Sequence, residues 1–340
     1  LIWAKLALKD SNWNPSVTHQ ETIEKLAPVL RNLRHSDAGL PRFHGSCGDV
    51  DGELDQALSN AESREISPIE KSVGFVKLSN SRTTIIIDAA PPPMGKKAVK
   101  ADASTLAFEM VSGQRRIFTS CGPGYLFGST LSSASRQTSS HSVVYIDNQN
   151  SSQFSDKESW LKIPKKIIIN GPRNVPIEIS NDQGICIFEG AHDGYVKSHG
   201  LTHVRKLKLA QDGQAFEGED LIIAIEDSHK RQFDKILKKT SRGSLSVKAA
   251  FHLHPDVTLR WDQKNHFISL ALKNGEVWIF NYSSDFNLDL QPTVFFENDL
   301  FEPLGAQKLI LSADLLDYGT RIKWSLARAI ENDLSVGDLF

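Results

Sequence analysis

The stretch FISLALKNGEVWIF, residues 267–280, decides the fold of this chain. Two apolar runs, Phe267–Leu272 and Glu276–Phe280, stand on either side of Asn274 and Gly275. An Asn-Gly pair favours the positive φ angles of a two-residue type I′ turn, whose twist matches that of two paired antiparallel strands. The stretch therefore predicts an antiparallel β-hairpin.

Short apolar or β-branched runs of the same kind, each bounded by turn residues, recur on both sides of this hairpin. They are Gly74–Leu78, Thr83–Asp88, Leu106–Val111, Arg116–Thr119, Ser142–Ile146, Lys166–Ile169, Ile185–Phe188, Lys206–Leu209, Leu221–Ile225, Leu245–His254, Thr258–Trp261, Lys308–Ser312 and Ile322–Leu326. Few helical segments separate them. Many short strands with little helix between them indicate a mainly β protein built on a large antiparallel β-sandwich.

Residues 1–61 have a helical pattern instead. Leu1–Lys9 predicts a short helix, and Glu53–Ala61 predicts another. Between them, apolar residues recur at helical spacing at Ile23, Leu26, Leu30 and Leu33. Thr18 and Glu21 fit a capping box at the start of this middle helix, and Pro28 predicts a kink or a break within it.

The change of pattern divides the chain into a helical part, residues 1–65, and a β part, residues 66–340. The 340 residues, 40% of them hydrophobic, suffice for one large core or for a large domain plus a fragment. Because the chain begins with Leu1 and not with Met, we expect it to be a piece of a longer protein.

The charge balance limits the classes of partner. The chain has 39 basic and 41 acidic residues, a formal net charge of -2, and no long basic run. We therefore expect no nucleic-acid binding, and an acidic polymer would need a local basic patch. No apolar stretch approaches the roughly 20 residues that cross a bilayer. Three cysteines without CxxC spacing argue against a disulfide framework.

Several segments carry a resemblance. LRNLRHSDAGLPRFHG, residues 30–45, closes the helical part, and DAAPPP, residues 88–93, follows the first strands. Further segments are FEMVSGQRRI at 108–117, SSHSVV at 139–144, GAHDGY at 190–195, which His203 and Arg205 follow, and FHLHPD at 251–256. Each is weak alone, but the ordered series resembles the heparinase II/III-like family over nearly the whole chain. The resemblance implies that residues 1–65 end an α/α-toroid and that a β-sandwich follows.

The resemblance also implies an activity, the cleavage of acidic, uronic-acid-containing polysaccharide by β-elimination. This reaction needs the uronate carboxylate neutralised, a base for the adjacent C–H proton, and an acid for the leaving glycosidic oxygen. In the family the main base and acid lie on toroid helices, which we expect upstream of Leu1. A periplasmic or cell-envelope location is implied as well. The alternative is a carbohydrate-binding or structural sandwich without catalysis, because a fold does not fix a function.

The resemblance points to a few candidate site residues. His141 and His192 match the family's histidine motifs, and with Asp156 they would bind zinc or another divalent metal; Asp147 is the alternative acid. His141 is also the candidate catalytic residue. Some relatives have a second histidine where Ser139 stands, which weakens the catalytic role of this strand. The structural alternative for each histidine is a hydrogen-bonded residue of the core.

Three further groups remain open. Arg42 and His44, in the loop that leaves the toroid, are candidates to bind a substrate carboxylate or sulfate, or are solvated loop residues. His252 and His254 point to one face of a strand, a spacing that suits a metal ligand pair but more often marks a half-exposed strand. Gly218–Asp220 is predicted to be a turn without catalytic function. No nucleophile elbow, P-loop, dinucleotide fingerprint or HExxH motif is present.

Overall fold

The computed structural model of the chain describes residues 1–47, 52–61, 71–95, 98–155, 166–297 and 299–329. Its α-helices are α1 Ile2–Asp10, α2 Val17–Asn32, α3 Glu53–Ser59, α4 Ser129–Ala134, α5 Val196–His199 and α6 Asp227–Leu237. Helices α1, α2 and α3 share a small apolar cluster of their own, to which Ile23, Ala27 and Leu58 belong. The predicted helical part therefore packs helix on helix, separate from the main core.

The described residues also form nineteen strands. They are β1 Lys71–Ser72, β2 Phe75–Asn80, β3 Thr83–Asp88, β4 Phe108–Ser112, β5 Arg115–Phe118, β6 Val144–Ile146, β7 Gln153–Phe154, β8 Ile168–Asn170, β9 Ile177–Asp182, β10 Ile185–Tyr195, β11 Leu201–Leu209, β12 Ala215–Ile223, β13 Leu245–His252, β14 Thr258–Asp262, β15 Phe267–Ala271, β16 Val277–Tyr282, β17 Asn287–Phe295, β18 Leu304–Leu315 and β19 Gly319–Arg328.

Antiparallel pairing joins these strands into four sheets. A five-stranded sheet has the order β1-β2-β3-β4-β5, and a four-stranded sheet the order β17-β18-β13-β6. A bridge between Phe118, in β5, and Leu253, just after β13, links these two sheets. An eight-stranded sheet, β14-β15-β16-β19-β12-β11-β10-β9, forms the other large sheet, and β7 and β8 pair separately.

Aromatic side chains from the two layers meet in the main core. The ring of Phe108 lies 5.3 Å from that of Phe216, and the ring of Phe251 lies 4.9 Å from that of Trp324, both edge to face. In β12 and β19 buried and exposed positions alternate, since one face of the eight-stranded sheet packs on this core. The structure thus confirms the mainly β fold and its large antiparallel sandwich.

The central strands of the five-stranded sheet, β3 and β4, are buried on both faces. Their outer face is covered by the loop that follows α2, residues 34–47, which we call the exit loop. The hydroxyl of Thr84 accepts a hydrogen bond from the backbone N–H of Ser36 at 3.0 Å. The Glu109 carboxylate accepts one from the backbone N–H of Arg42 at 3.1 Å. The exit loop is therefore built into the sandwich.

Several predicted elements differ from the structure. The Asn274-Gly275 hairpin is confirmed as β15 and β16. Helix α2 is capped by Ser16, whose hydroxyl accepts from the His19 N–H, and not by Thr18. The helix continues through Pro28 without a break. Gly218–Asp220, predicted to be a turn, lies within β12, because the strand extends well to the N-terminal side of its apolar run.

Strands β9 and β17 and helix α6 were not predicted from the sequence. The sequences of β9 and α6 are polar, and β17 alternates polar and apolar residues with Pro292 inside it, so no continuous apolar run marks any of them. The predicted domain boundary near residue 65 falls outside the described residues, and the division at that point stays a prediction.

Candidate functional site

Arg42, a predicted substrate contact, is buried in the exit loop, with 4% of its surface exposed. Its guanidinium donates to the carbonyl oxygens of Cys47, at 2.7 Å, and of Phe296, and lies 4.2 Å from the centre of the Phe295 ring. It also lies 3.6 Å from the Glu297 carboxylate. These contacts fasten the exit loop to the segment after β17 and turn the cation away from solvent.

His44, the other predicted substrate contact, lies between two carboxylates. Its Nε2 is 3.2 Å from the Asp88 carboxylate, and its Nδ1 accepts the backbone N–H of Asp102 at 3.0 Å. Burial disfavours the charged ring, but the Asp88 carboxylate outweighs burial and raises the pKa of His44. Burial also raises the pKa of Asp102 to about 6, against the opposing effect of His44. Since 17% of the His44 side chain is exposed, it is the more accessible of the two predicted contacts.

His141 lies just before β6, with 1% of its surface exposed. Its Nδ1 shares a hydrogen bond with the Ser120 hydroxyl at 3.0 Å, and its Nε2 has no partner among the described residues. Burial, together with the neighbouring His252 and His44, lowers the pKa of His141 well below the usual value. The ring is therefore neutral at physiological pH, with one ring nitrogen uncommitted.

His252, at the end of β13, is buried in the same neighbourhood. Its Nε2 lies 2.9 Å from the carbonyl oxygen of Ser139, so this nitrogen carries the proton and donates. Its Nδ1 has no partner among the described residues. Burial and the Lys308 ammonium lower the pKa of His252 to about 3. We call His44, His141 and His252 the histidine cluster; two of its three members are neutral rings with an uncommitted nitrogen.

His192 belongs to a different, fully hydrogen-bonded network on the eight-stranded sheet. Its Nδ1 accepts the backbone N–H of Gly194 at 3.1 Å, so its Nε2 carries the proton. That nitrogen lies 3.2 Å from Nδ1 of His203, whose Nε2 donates to Asp220 at 2.7 Å. Both His192 nitrogens are therefore engaged.

Asp220 and Arg205 complete this network. The guanidinium donates to both Asp220 oxygens, at 2.7 and 3.0 Å. Its remaining nitrogen donates to the carbonyls of Leu106 and Ser142 in the opposite layer, at 2.8 and 2.9 Å. Burial raises the pKa of Asp220, but the Arg205 cation lowers it. The net effect is a pKa well below the usual value. We call His192, His203, Arg205 and Asp220 the interlayer network.

His203 and Arg205 were noted only as residues that follow the GAHDGY segment, and no chemical role was predicted for them or for Asp220. One signal was present: His203 and Arg205 stand two residues apart in a series with Leu201, Leu207 and Leu209, and so share the inward face of the strand. Asp220 had no comparable signal, because it had been assigned to a turn.

The predicted zinc site does not assemble within the described residues. No group of three or more His, Cys, Asp or Glu side chains able to hold a metal ion occurs among them. Asp156 lies outside the described residues, and the alternative acid, Asp147, accepts the backbone N–H of Ser246 at 2.8 Å. A zinc ion on His192 would have to displace Gly194 or His203. The described residues thus do not fit a zinc ion, and a site that includes Asp156 stays a prediction.

Comparison with known proteins identifies the family of this chain. The model of the family described as heparinase II/III-like, C-terminal, matches residues 68–325. FtsZ-localized protein C of Caulobacter vibrioides is 27% identical over 317 residues, which is 90% of this chain and 51% of that protein.

Solved structures of lyases share the fold. A heparinase III, the BT4657 gene product, superposes with a TM-score of 0.67 at 13% identity, over 95% of this chain and 48% of that one. The heparan sulfate lyase HepC of Pedobacter heparinus gives a TM-score of 0.67 at 13% identity, over 98% of this chain and 51% of that one. The chain spans about half the length of each of these relatives. The chain belongs to the heparinase II/III-like family and contains its C-terminal domain.

Proposed function

We propose that this chain is part of a polysaccharide lyase that cleaves acidic, uronic-acid-containing polysaccharide by β-elimination. The family match over residues 68–325 carries the proposal. The shared fold with a heparinase III and with a heparan sulfate lyase supports it. Because the resemblance assigns the family's main base and acid to toroid helices, we propose that turnover needs that helical domain as well.

The histidine cluster has the chemistry for a contribution from the sandwich. A neutral imidazole with an uncommitted nitrogen, as in His141, can accept a proton. The His44 ring would neutralise a uronate carboxylate only as a cation, and its Nδ1, which accepts the Asp102 N–H, would then have to release that bond and take up a proton; the raised pKa of the ring favours this step. The burial of Arg42 weighs against direct contact with a polymer, so His44 is the stronger candidate contact. We propose His141 as a catalytic residue on the basis of its uncommitted nitrogen; because only 1% of its surface is exposed, this role requires the ring to become accessible when substrate binds.

The test is the appearance of an unsaturated product. Full-length protein is incubated with heparan-type, alginate-type and bacterial exopolysaccharides, and the ultraviolet absorbance of the new carbon–carbon double bond is followed. The proposal expects absorbance to grow on at least one of them, and His141→Ala to slow it. No absorbance on any acidic polymer would refute the lyase assignment.

The second candidate is a sandwich that binds carbohydrate, or only organises partners, without cleaving. One observation favours it: the curated relative at 27% identity is named for its localisation with FtsZ and not for an enzymatic activity. Binding of a polysaccharide, measured by calorimetry, without unsaturated product would support this candidate.

We propose a periplasmic or cell-envelope location, since the polymers considered as substrates lie outside the cytoplasm. Among the described residues no helix is both long and apolar enough to cross a membrane. Cell fractionation tests the location, and recovery of the protein only with the cytoplasm would contradict it.

A further inference from the structure

A cavity of about 600 Å³ lies beside β7 and β8, outside both histidine groups described above. Its volume is within the usual range of small-ligand sites, roughly 300–1,000 Å³. The wall is made of amide, hydroxyl and lysine side chains with Phe154 and a glycine. The lining residues include the amides Asn148, Gln149, Gln153 and Asn170 and the lysines Lys166 and Lys197.

The described lining of this cavity has two lysines and no carboxylate. A groove on the outer face of the eight-stranded sheet is different, since Glu217 and Glu219 line it together with lysines. The chain as a whole has slightly more acidic than basic residues, so a wall without carboxylates is not the expected composition. The cavity therefore favours an anionic ligand.

Two described carboxylates next to the cavity in sequence are turned away from it, and Asp156 and Glu158 lie outside the described residues. Asp147 precedes Asn148, but its carboxylate accepts the backbone N–H of Ser246 at 2.8 Å. Asp193 precedes Gly194, and its carboxylate accepts the backbone N–H of Arg173 at 2.8 Å. Neither of these two carboxylates neutralises the lysines, so within the described part of the chain both positive charges are unpaired.

Part of the polar wall is already hydrogen-bonded, including Gln137 and Asn150, and part is uncommitted. The side chains of Gln149, Gln153 and Asn170 and the ammonium groups of Lys166 and Lys197 make no hydrogen bond or ion pair within the described residues. The Ser152 hydroxyl, on a residue 3% exposed, is buried without a partner among the same residues. The side chains of Gln149, Gln153, Asn170, Lys166 and Lys197 are therefore available to bind a ligand.

Amides offer both donors and acceptors, which is the pattern that sugar hydroxyl groups require. An ammonium group is a compact charge that suits a carboxylate or a sulfate. We propose that this cavity is a binding subsite for an acidic saccharide unit, with Lys166 and Lys197 on its carboxylate or sulfate and the amides on its hydroxyl groups. The class of ligand rests on the proposed function, whereas the cavity and its charge do not.

The test is calorimetric titration of the full-length protein with three hexasaccharides: a heparan sulfate hexasaccharide, a hexamannuronate and neutral cellohexaose. Lys166→Gln/Lys197→Gln keeps hydrogen-bonding side chains and removes both charges. The matched control, Lys208→Gln/Lys323→Gln, removes two exposed lysines from the outer face of the eight-stranded sheet. Circular dichroism confirms that both variants are folded.

We expect at least one acidic hexasaccharide to bind and cellohexaose to bind much more weakly. Lys166→Gln/Lys197→Gln should weaken binding of that acidic hexasaccharide on the order of tenfold or more, since removing each charge-assisted hydrogen bond weakens binding by about that factor. The control variant should bind as the wild type does. Equal affinity in wild type and Lys166→Gln/Lys197→Gln, or no binding of either acidic probe, would overturn the inference.

The two proposals can fail separately. Cavity-dependent binding without unsaturated product would retain the subsite and refute the lyase activity. Unsaturated product formed with unchanged KM by Lys166→Gln/Lys197→Gln would retain the lyase activity and refute the subsite.

Discussion

Replacing Arg205 by methionine should destabilise the fold more than any change to a surface charge. Arg205 and Asp220 are both fully buried. The guanidinium donates twice to the Asp220 carboxylate, and it also donates to the carbonyls of Leu106 and Ser142 across the sandwich. Methionine preserves much of the side-chain volume but none of these four hydrogen bonds.

The magnitude follows from what the substitution leaves behind. A buried carboxylate that loses its partner costs about 3–5 kcal/mol. His203 still donates to Asp220, which favours the lower end of that range. The two carbonyls that lose a donor add about 1 kcal/mol each. We therefore expect Arg205→Met to lower the free energy of unfolding by about 5 kcal/mol, a large part of the usual 5–15 kcal/mol.

The assay is urea unfolding followed by circular dichroism, on Arg205→Met, Asp220→Leu and the double variant. The double variant removes both charges, so its loss should be smaller than the sum of the two single losses by more than about 1 kcal/mol. Arg321→Met is the matched control, because Arg321 is half exposed and faces Glu219 at 3.3 Å. The control should change the free energy of unfolding by less than about 1 kcal/mol. If Arg205→Met were no worse than Arg321→Met, or if the losses were additive, the stabilising role of the interlayer network would be refuted.

Three other changes have defined outcomes. Gly218→Ala should lower the free energy of unfolding, measured in urea, by about 1–3 kcal/mol, because the new Cβ would lie 2.0 Å from the Trp324 ring. The control Gly305→Ala has open space around it and should be neutral. Equal effects of the two substitutions would contradict the close approach of Gly218 to Trp324. His252 is neutral in the fold down to about pH 3 but takes up a proton below about 6.5 when unfolded, so its contribution to stability falls as pH drops through that window, by about 1.4 kcal/mol per unit. His252→Gln should flatten the pH dependence of urea unfolding between pH 6.5 and 3, and an unchanged slope would contradict the assignment. If His141 is a ligand of the zinc site predicted from the sequence, the zinc content measured by elemental analysis should be lower in His141→Ala than in the wild type. Equal zinc content in the two proteins would show that His141 is not a ligand.

The strand pattern predicted the fold class because short apolar or β-branched runs bounded by turn residues recur along the chain, and such runs are visible in a single sequence. The 267–280 hairpin appears as predicted because its turn is encoded locally by Asn274 and Gly275. Helix α6 was missed, since only a few of its residues contact the core, among them Phe233. Strand β9 was missed as well, because it is an edge strand whose residues are mostly exposed.

The candidate site could be predicted only in part. His44, His141 and His192 were singled out from motifs that resemble a family. The motifs carried no information on what each ring would contact, so His141 and His192 were assigned to one metal site. The structure gives them separate partners: the Ser120 hydroxyl for His141, and Gly194 and His203 for His192.

The sequence by itself determined the strands, the hairpin turn and, through an ordered set of motifs, the family. The tertiary structure alone decided which polar residues meet. Strand register places His192 opposite His203, and Arg205 opposite Asp220. Register is set by the packing of a whole sheet against the opposite layer, and a shift of one residue would turn each of these side chains to the other face. For that reason the interlayer network has no local signature, although the hairpin at 267–280 does.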